Sequence, residues 1–410
     1  MKCILAVTGS IASYKAYDVA RGLVKNGHNV KVVLTSGALE FIKADTFKYL
    51  GVEAVYLPTD DFKPSHLSMK QTVLHIELAK WADKLVIAPM SANTLGRLNL
   101  GLNNDLLGSL FLAFGKKPIL IFPAMNTTML AQKRVQIHLK ALSEESHISI
   151  INPVSGLLAC GDVGAGKFPD VNAVIDLIET LDGTKTQNKK IVITAGATAA
   201  PIDPVRYLTN PSTGKMGLAV AKAFLKEGHE VTVLAGHQCT PEIENLNGHP
   251  NFKLIKAATT TLMKKAALKT FPKADLYIST GAISDIEFDT ASEKIKKESM
   301  GDSLTFHQAP DILQEILKIK KDSQKIISFA AETETTEKVF QEKMNRKPVD
   351  LMVGNKVANG LIGSSELEGF QKDEGRYYFV TTKNISGPHE LQKKEVGEKL
   401  VEWFMGKASW

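Results

Sequence analysis

Cysteine is scarce in this chain. Cys3, Cys160 and Cys239 are the three in 410 residues, and their wide spacing makes neither a disulfide framework nor a metal knuckle. That usage fits a reducing cytoplasm. Long apolar runs are missing as well. The run Cys3–Val7 is too short for the core of a secretory signal and breaks off at Thr8-Gly9-Ser10. No stretch approaches the length of a membrane span. Charge of one sign is not in strong excess, with a formal net charge of +6. The basic clusters Lys294-Ile-Lys-Lys297 and Lys318-Ile-Lys-Lys321 lack interleaved aromatics. They read as solvated faces or phosphate contacts and not as a nucleic-acid surface.

Two common nucleotide signatures are also lacking. An oxidoreductase with tandem dinucleotide-binding domains carries G-x-G-x-x-G after a first strand; Gly9-Ser-Ile-Ala and Gly196-Ala-Thr-Ala fail that pattern. Gly161-Asp-Val-Gly-Ala-Gly-Lys167 has the spacing of a phosphate loop, but Phe168 stands where a Mg²⁺-binding hydroxyl belongs, and Leu157-Leu-Ala-Cys160 is a poor preceding strand. The segment reads instead as a flexible flap presenting Cys160, either a reactive thiol or a small apolar side chain.

What is present is a repeated α/β pattern. The length suits two to three domains, and 44% apolar with 23% charged residues is ordinary for a globular chain. The organising stretch is Lys189–Gly217. A β-branched run ending at Gly196 leads through a loop to Asn210-Pro-Ser-Thr-Gly-Lys-Met-Gly217 and then to a helix-forming run. Strand, Gly-rich loop and helix in that order open a nucleotide-binding α/β domain. Lys2-Cys-Ile-Leu-Ala-Val-Thr-Gly9 echoes it. Gly27-His-Asn-Val-Lys-Val-Val-Leu34 is matched by Gly228-His-Glu-Val-Thr-Val-Leu234, and Ala82-Asp-Lys-Leu-Val-Ile87 by Ala274-Asp-Leu-Tyr-Ile278. The expected fold is α/β, with two Rossmann-like, doubly wound domains in tandem. They cover residues 1–182 and 190–410, joined by a polar linker at 183–189.

In the first half, strands are expected at 2–8, 30–34, 84–88, 118–122 and 148–152. Helices are expected after Ser10 or Ser13 and at 74–82, 95–115, 127–142 and 171–181, with a Gly-rich loop at 153–166. Further strands are expected at 303–307, 325–330, 350–354 and 376–382, and helices at 310–320, 334–346 and 390–404. The halves differ in one informative way. Gly9 to Gly27 spans 18 residues and Gly196 to Gly228 spans 32. The insertion between first strand and first helix contains Arg206 and Asn210–Gly217, at the end of the sheet where insertions serve binding.

Several positions invite a functional reading beside a plain one. Asn210–Gly217 leads into a helix N-terminus and offers backbone donors to an anion, or is an ordinary turn. His75 opens a helix just before a strand, as a functional group or as a cap. Asn126 follows a strand and Pro123-Ala-Met, again as ligand or helix cap. Thr8–Ser10, Thr35–Ala38 and Ser91–Thr94 are polar loops that converge at strand ends, which suggests a phosphorylated aromatic cofactor.

Taken together these residues carry a resemblance. The first half resembles the flavin-dependent cysteine decarboxylases through Val7-Thr-Gly-Ser-Ile-Ala12, His75-Ile-Glu-Leu-Ala, Pro123-Ala-Met-Asn126 and Ala159-Cys-Gly161. The second half resembles phosphopantothenate–cysteine ligases through Asn210–Gly217, Asp285, Lys294-Ile-Lys-Lys297, Pro310-Asp-Ile312, Phe329-Ala-Ala-Glu-Thr333, Lys343 and Lys347. In this order they resemble the bacterial bifunctional family of coenzyme A biosynthesis, over essentially the whole chain. Departures include Ser10, Met90-Ser91, Leu100–Asn104, Pro211-Ser-Thr213 and Glu374-Gly. In the flap, Lys167-Phe168 replaces Arg-Met, a change that bears on substrate contacts there.

The resemblance implies an N-terminal flavodoxin-like flavoprotein and a C-terminal ligase. FMN would be held by Gly9, Ser10, Ile11, Ser36, Ser91, Ala92, Asn93 and Thr94. Cys160 would be the acid that reprotonates the product, Asn126 would bind the carboxylate, and His75 would act beside flavin and substrate. In the ligase half, CTP activates 4′-phosphopantothenate as an acyl-cytidylate, and the cysteine amine displaces CMP. The CTP set implied is Ser279, Thr280, Gly281, Asp285, Lys294, Pro310, Asp311, Ile312, Leu313, Phe329, Lys343 and Lys347, with Mg²⁺ at Asp285. Asn210 and Arg206 would hold the acyl intermediate. The partners implied are small molecules and further copies of the chain, a trimeric first domain and a dimeric second giving a dodecamer. The alternative within the same fold is a non-enzymatic regulatory flavoprotein, which predicts loss of Cys160 or His75, or of the ligase half.

Overall fold

A computed structural model describes residues 1–63, 73–157, 161–181, 188–296, 303–357 and 372–408. The chain divides into two compact units, Met1–Thr186 and Gln187–Trp410.

The first unit is built on strands β1 (Lys2–Val7), β2 (Asn29–Leu34), β3 (Ala54–Tyr56), β4 (Lys84–Met90), β5 (Ile119–Pro123) and β6 (Ile148–Ile150). All pair in parallel, in the order β3-β2-β1-β4-β5-β6. The layers are those of a doubly wound domain, and the strand order is the Rossmann one. β1 and β4 are apolar almost throughout because helices cover both faces. On one face the helices Ala16–Lys25 and Val171–Thr180 pack Val19, Leu23, Val174 and Ile178 against Leu5 and Val32. On the other, Leu78, Leu95 and Leu110 from three helices close over Ile4, Leu85 and Ile121. Gly27 ends the first helix with φ +80, a conformation in which a Cβ is strained. Lys84, buried at the start of β4, donates to the carbonyls of Ile178 and Leu181 and so completes the end of the Val171–Thr180 helix.

Three expectations for this unit need correction. The 95–115 helix is two helices, Ala92–Asn99 and Leu106–Ala113. The break contains Gly101 at φ +70, and Asp105 caps the second helix by accepting from Gly108 N–H. The 127–142 helix is also two, Thr127–Ala131 and Lys133–Ser143, parted at Gln132, which leaves helical dihedrals for φ −61, ψ 132. The Gly-rich loop at 153–166 contains an antiparallel hairpin of β7 (Val154–Leu157) and β8 (Val163–Lys167). Its largely exposed, Gly-rich strands carry none of the alternation that marks a half-buried sheet.

The second unit contains β9 (Lys190–Ala195), β10 (Ala199–Pro201), β11 (Tyr207–Thr209), β12 (Glu230–Ala235), β13 (Phe252–Lys256), β14 (Leu276–Ser279), β15 (Ile286–Phe288), β16 (Phe306–Gln308), β17 (Lys325–Glu332), β18 (Leu351–Lys356), β19 (Glu374–Val380) and β20 (Ile385–Gln392). The main sheet runs β13-β12-β9-β14-β17-β18-β19-β20. Its first six strands are parallel and repeat the topology of the first unit; β19 and β20 are antiparallel additions. The extra residues after β9 hold the small hairpin of β10 and β11. Two expectations change here. The strand at 303–307 is β16, paired with β15 outside the main sheet. The last helix begins at Lys393 and not at 390, because β20 continues to Gln392. Among the described residues no helix is long and apolar enough to cross a membrane.

Candidate functional sites

In the first unit the polar loops meet at the carboxyl edge of the sheet. Thr8, fully buried, donates from Oγ1 to the Pro89 carbonyl at 2.8 Å and accepts from Ser91 N–H at 2.8 Å. It thereby ties the loop after β1 to the loop after β4. Ser10 Oγ donates to the Ala124 carbonyl at 3.0 Å, which adds the loop after β5. A Cβ placed on Gly9 would stand 3.0 Å from the Gly37 backbone, so the loops after β1 and β2 touch main chain to main chain. Ser10, Thr35 and Ser91 each cap the helical turn that follows. Gly9, Ser10, Ser36, Ser91 and Thr94 are thus brought to one edge, with Ile11 and Asn93 exposed beside them and Ala92 half-buried. Oriented N–H groups at such an edge suit a phosphate.

His75 lies in the first turn of the Leu74–Trp81 helix. That helix leads directly into β4, so it runs against the strands and its start falls at the same carboxyl edge. Asp61 holds it: the His75 backbone N–H donates to Asp61 Oδ1 at 3.1 Å and Nδ1 lies 2.7 Å from Oδ2. With Nδ1 as donor, Nε2 is the nitrogen left to accept or relay a proton.

Asn126 caps the Thr127–Ala131 helix through Oδ1, and its Nδ2 donates to Asp162 Oδ2 at 3.2 Å. The hairpin is docked on this loop. Met125 N–H donates to the Gly166 carbonyl, and Thr127 Oγ1 to the Ala165 carbonyl at 2.6 Å. A Cβ on Gly166 would meet the Met125 carbonyl oxygen at 2.1 Å. The expected flexible flap is therefore a strand pair bonded to the Asn126 loop through β8. Cys160 lies outside the described residues. Phe168 is buried in the core against Phe122.

In the second unit the first strand is stapled as in the first. Buried Thr194 accepts from Gly281 N–H at 3.1 Å, and Thr280 Oγ1 donates to its carbonyl at 2.6 Å. Gly214, at φ +76, opens the Lys215–Lys226 helix without a side-chain cap. A Cβ on Gly217 would overlap Ala195 Cβ at 2.4 Å. These close approaches wall a pocket of about 130 Å³ lined by Ser212, Gly214, Lys215, Met216, Thr280, Gly281, Ala282, Phe329, Ala331, Asn355, Tyr377 and Lys393.

Of the expected nucleotide residues, Thr280, Gly281 and Phe329 line that pocket, and Ser279 ends the strand beside it. Asn210 reaches it through a 3.4 Å bond from Nδ2 to the Ala282 carbonyl. A charged cluster gathers others. Lys347 Nζ pairs with Asp311 Oδ2 at 2.6 Å, and Lys343 pairs with Glu332. The Asp285 carbonyl accepts from Ala309 N–H, which holds Asp285 beside Pro310-Asp311. Burial raises the Asp311 carboxyl, but Lys347 and backbone donors outweigh it and leave it below the usual range. Burial lowers the Lys343 ammonium, as do Arg346 and Lys347, while Asp285 opposes the shift. Ile312 is a core side chain and Leu313 packs against the same cluster, so what they can offer a ligand is main chain. Arg206 is engaged with buried Asp203 and donates to the Ile295 carbonyl at 2.9 Å, which sets exposed Lys294 next to it. The Asp203 carboxyl is held far below its ordinary range, first by Arg206 and against burial.

Sequence reasoning missed Asp61, Asp162, Asp203, Asn355, Tyr377 and Lys393. Asp61 and Asp162 act through partners distant in sequence, and Asn355 and Tyr377 reach the pocket only through the fold of the sheet. Lys393 was hidden for a further reason, since its position follows from the strand β20.

Two family models cover the chain: Flavoprotein over residues 1–182, and DNA/pantothenate metabolism flavoprotein C-terminal domain over residues 186–407. The chain is 35% identical to the coenzyme A biosynthesis bifunctional protein CoaBC of Haemophilus influenzae over 371 residues, 90% of each chain. It is 37% identical to the protein of that name from Bacillus subtilis over 363 residues, 87% of this chain and 86% of the relative. Among solved structures, a PPC decarboxylase mutant complexed with pantothenoylaminoethenethiol is 35% identical. The match covers 43% of this chain and 95% of that one, with a TM-score of 0.39.

Proposed function

The chain belongs to the family of bifunctional coenzyme A biosynthesis proteins, a flavoprotein decarboxylase and a ligase in one polypeptide, and on that premise we propose how its residues divide the work. The second unit joins 4′-phosphopantothenate to cysteine at the expense of CTP. The first decarboxylates the product to 4′-phosphopantetheine.

The observation that carries the ligase reading is the Gly-walled pocket at the start of the Lys215–Lys226 helix; the Lys343, Lys347 and Asp311 cluster belongs to the same unit. A free carboxylate must be activated before an amine attacks it, and the chemistry is chiefly positioning and charge neutralisation. The backbone at Gly214 and Gly281 approaches the nucleotide, Lys343 and Lys347 exchange their carboxylate partners for phosphate oxygens, and Phe329 offers a flat apolar surface. Asn210 and Arg206 hold the acyl intermediate. Among the described residues no group of three or more Asp, Glu, His or Cys could hold a metal. Mg²⁺ is commonly bound by one or two carboxylates plus substrate phosphates, so exposed Asp285 suits an ion that arrives with CTP.

The edge formed by Thr8, Gly9, Ser10, Gly37 and Ser91 fits FMN, because two loops meet there without room for a Cβ and capped turns present their N–H groups. Bound there, FMN supplies the reversible two-electron oxidation of the thiol-bearing carbon that lets the carboxylate leave. Asn126 orients the substrate carboxylate, His75 holds or moves a proton at Nε2, and Cys160 is the acid that completes turnover. Trimeric and dimeric association and a reducing cytoplasm belong to the same proposal, the latter supported by the free thiols of Cys3 and Cys239.

Two measurements on the purified protein test this reading. Its absorption spectrum and the mass of the chromophore released on denaturation identify the flavin. Offering CTP or ATP with both substrates and following the nucleoside monophosphate identifies the activating nucleotide. FMN and CMP are expected; no flavin, or no monophosphate from either nucleotide, contradicts the assignment.

A further inference from the structure

Lys393 is a lysine out of its usual surroundings. It opens the helix Lys393–Phe404 and is 7% exposed. An ammonium in the first turn of a helix stands against the helix dipole, and its burial forfeits hydration. Its ammonium donates to the Lys372 carbonyl, and its backbone N–H donates to the Asp373 carbonyl at 2.8 Å. Lys215, first residue of the helix on the far side of the same pocket, pairs with the Asp373 carboxylate at 3.1 Å. Both lysines line the pocket, with the Phe329 ring and the Gly214 backbone. Burial lowers the Lys393 amine, Asp373 opposes the shift and Lys215 adds to it.

The geometry suits an anion. Two cations converge on a cavity that also carries a helix start without a side-chain cap and a flat apolar ring. A phosphate entering there meets Lys215, Lys393 and the N–H groups beyond Gly214 together. We propose that Lys393 is a phosphate-binding residue of the nucleotide site, sharing the phosphate chain with Lys215, which gives up Asp373 as the nucleotide binds. This rests on the nucleotide reading of the second unit and assigns Lys393 a role in it.

The test uses the full chain. Lys393→Met is expected to raise the KM for CTP about 10- to 100-fold, the worth of one charge-assisted hydrogen bond, with the KM for cysteine within about twofold. Lys393→Arg is expected to recover most of the loss. Should Lys393→Met fail to fold, acylation of lysines in the wild-type protein, mapped by mass spectrometry, reads the same contact. Lys393 is expected to react in the free protein and to be protected by CTP. An unchanged KM for CTP in Lys393→Met, or labelling of Lys393 that is absent or indifferent to CTP, overturns the assignment. If the wild-type protein itself neither binds CTP nor forms the amide, the nucleotide reading fails instead, and the two failures are distinct.

Discussion

Asp61 Oδ2 lies 2.7 Å from His75 Nδ1, and Asp61 Oδ1 accepts the His75 backbone N–H. One carboxylate thus closes the helix N-terminus and fixes which imidazole nitrogen carries the proton. Replacing it by Asn leaves the shape and removes the charge. Asp61→Asn should lower kcat/KM for decarboxylation roughly 10- to 100-fold while flavin content and ligase rate stay at wild-type values. Steady-state kinetics with supplied phosphopantothenoylcysteine checks this, and an unchanged rate removes Asp61 from the mechanism.

The core position of Phe168 makes a second prediction. Its ring packs against Phe122 and belongs to the buried cluster beneath β1 and β2. Phe168→Met keeps the volume roughly constant and should cost less than about 1.5 kcal/mol, with decarboxylation intact. Phe168→Ala should cost about 3 to 5 kcal/mol. Chemical denaturation followed by flavin fluorescence reads both, and a large loss of activity in a stable Phe168→Met protein would return this residue to the substrate site.

His229 gives a pH dependence. It is fully buried between Phe224 and Phe404, and neither ring nitrogen meets a partner among the described residues. Burial lowers its folded-state pKa from 6.5. Above that value both folded and unfolded rings are neutral and the residue is silent. Below it the unfolded ring takes a proton that the folded one refuses, so stability is lost as pH falls, until the folded ring is protonated too. His229→Phe should flatten the fall in melting temperature of the second unit between about pH 6.5 and 5. An identical pH profile in the variant counts against this account.

Gly217 tests the close packing at the second site. Its Cβ would overlap that of Ala195 on the adjoining strand, and neither atom can turn away. Gly217→Ala should destabilise the second unit by about 1 to 3 kcal/mol and weaken CTP binding. Calorimetry on the variant decides it, since wild-type stability would mean that helix and strand separate freely.

Much of this was legible because parallel sheets buried on both faces write themselves as apolar runs. β1, β4, β9 and β14 were each found that way, and the loops that follow them could then be assigned to one edge. The strand at Ile385–Gln392 was not legible. It is a half-exposed antiparallel addition, and its Ser386-Gly387-Pro388 resembles a turn. Lys393 was lost with it. The breaks at Leu100–Asp105 and Gln132 were hidden because apolar periodicity continues on both sides. Asp61 and Asp162 carry no local signature; each is defined by a side chain elsewhere in the chain that it holds.

The most direct test of the whole account is one incubation of the purified protein with 4′-phosphopantothenate, cysteine, CTP and Mg²⁺, read by mass spectrometry. The account predicts 4′-phosphopantetheine and CMP together. Phosphopantothenoylcysteine that accumulates would contradict the decarboxylase assignment of the first unit, and the absence of any amide product, with ATP as with CTP, would contradict the ligase assignment of the second.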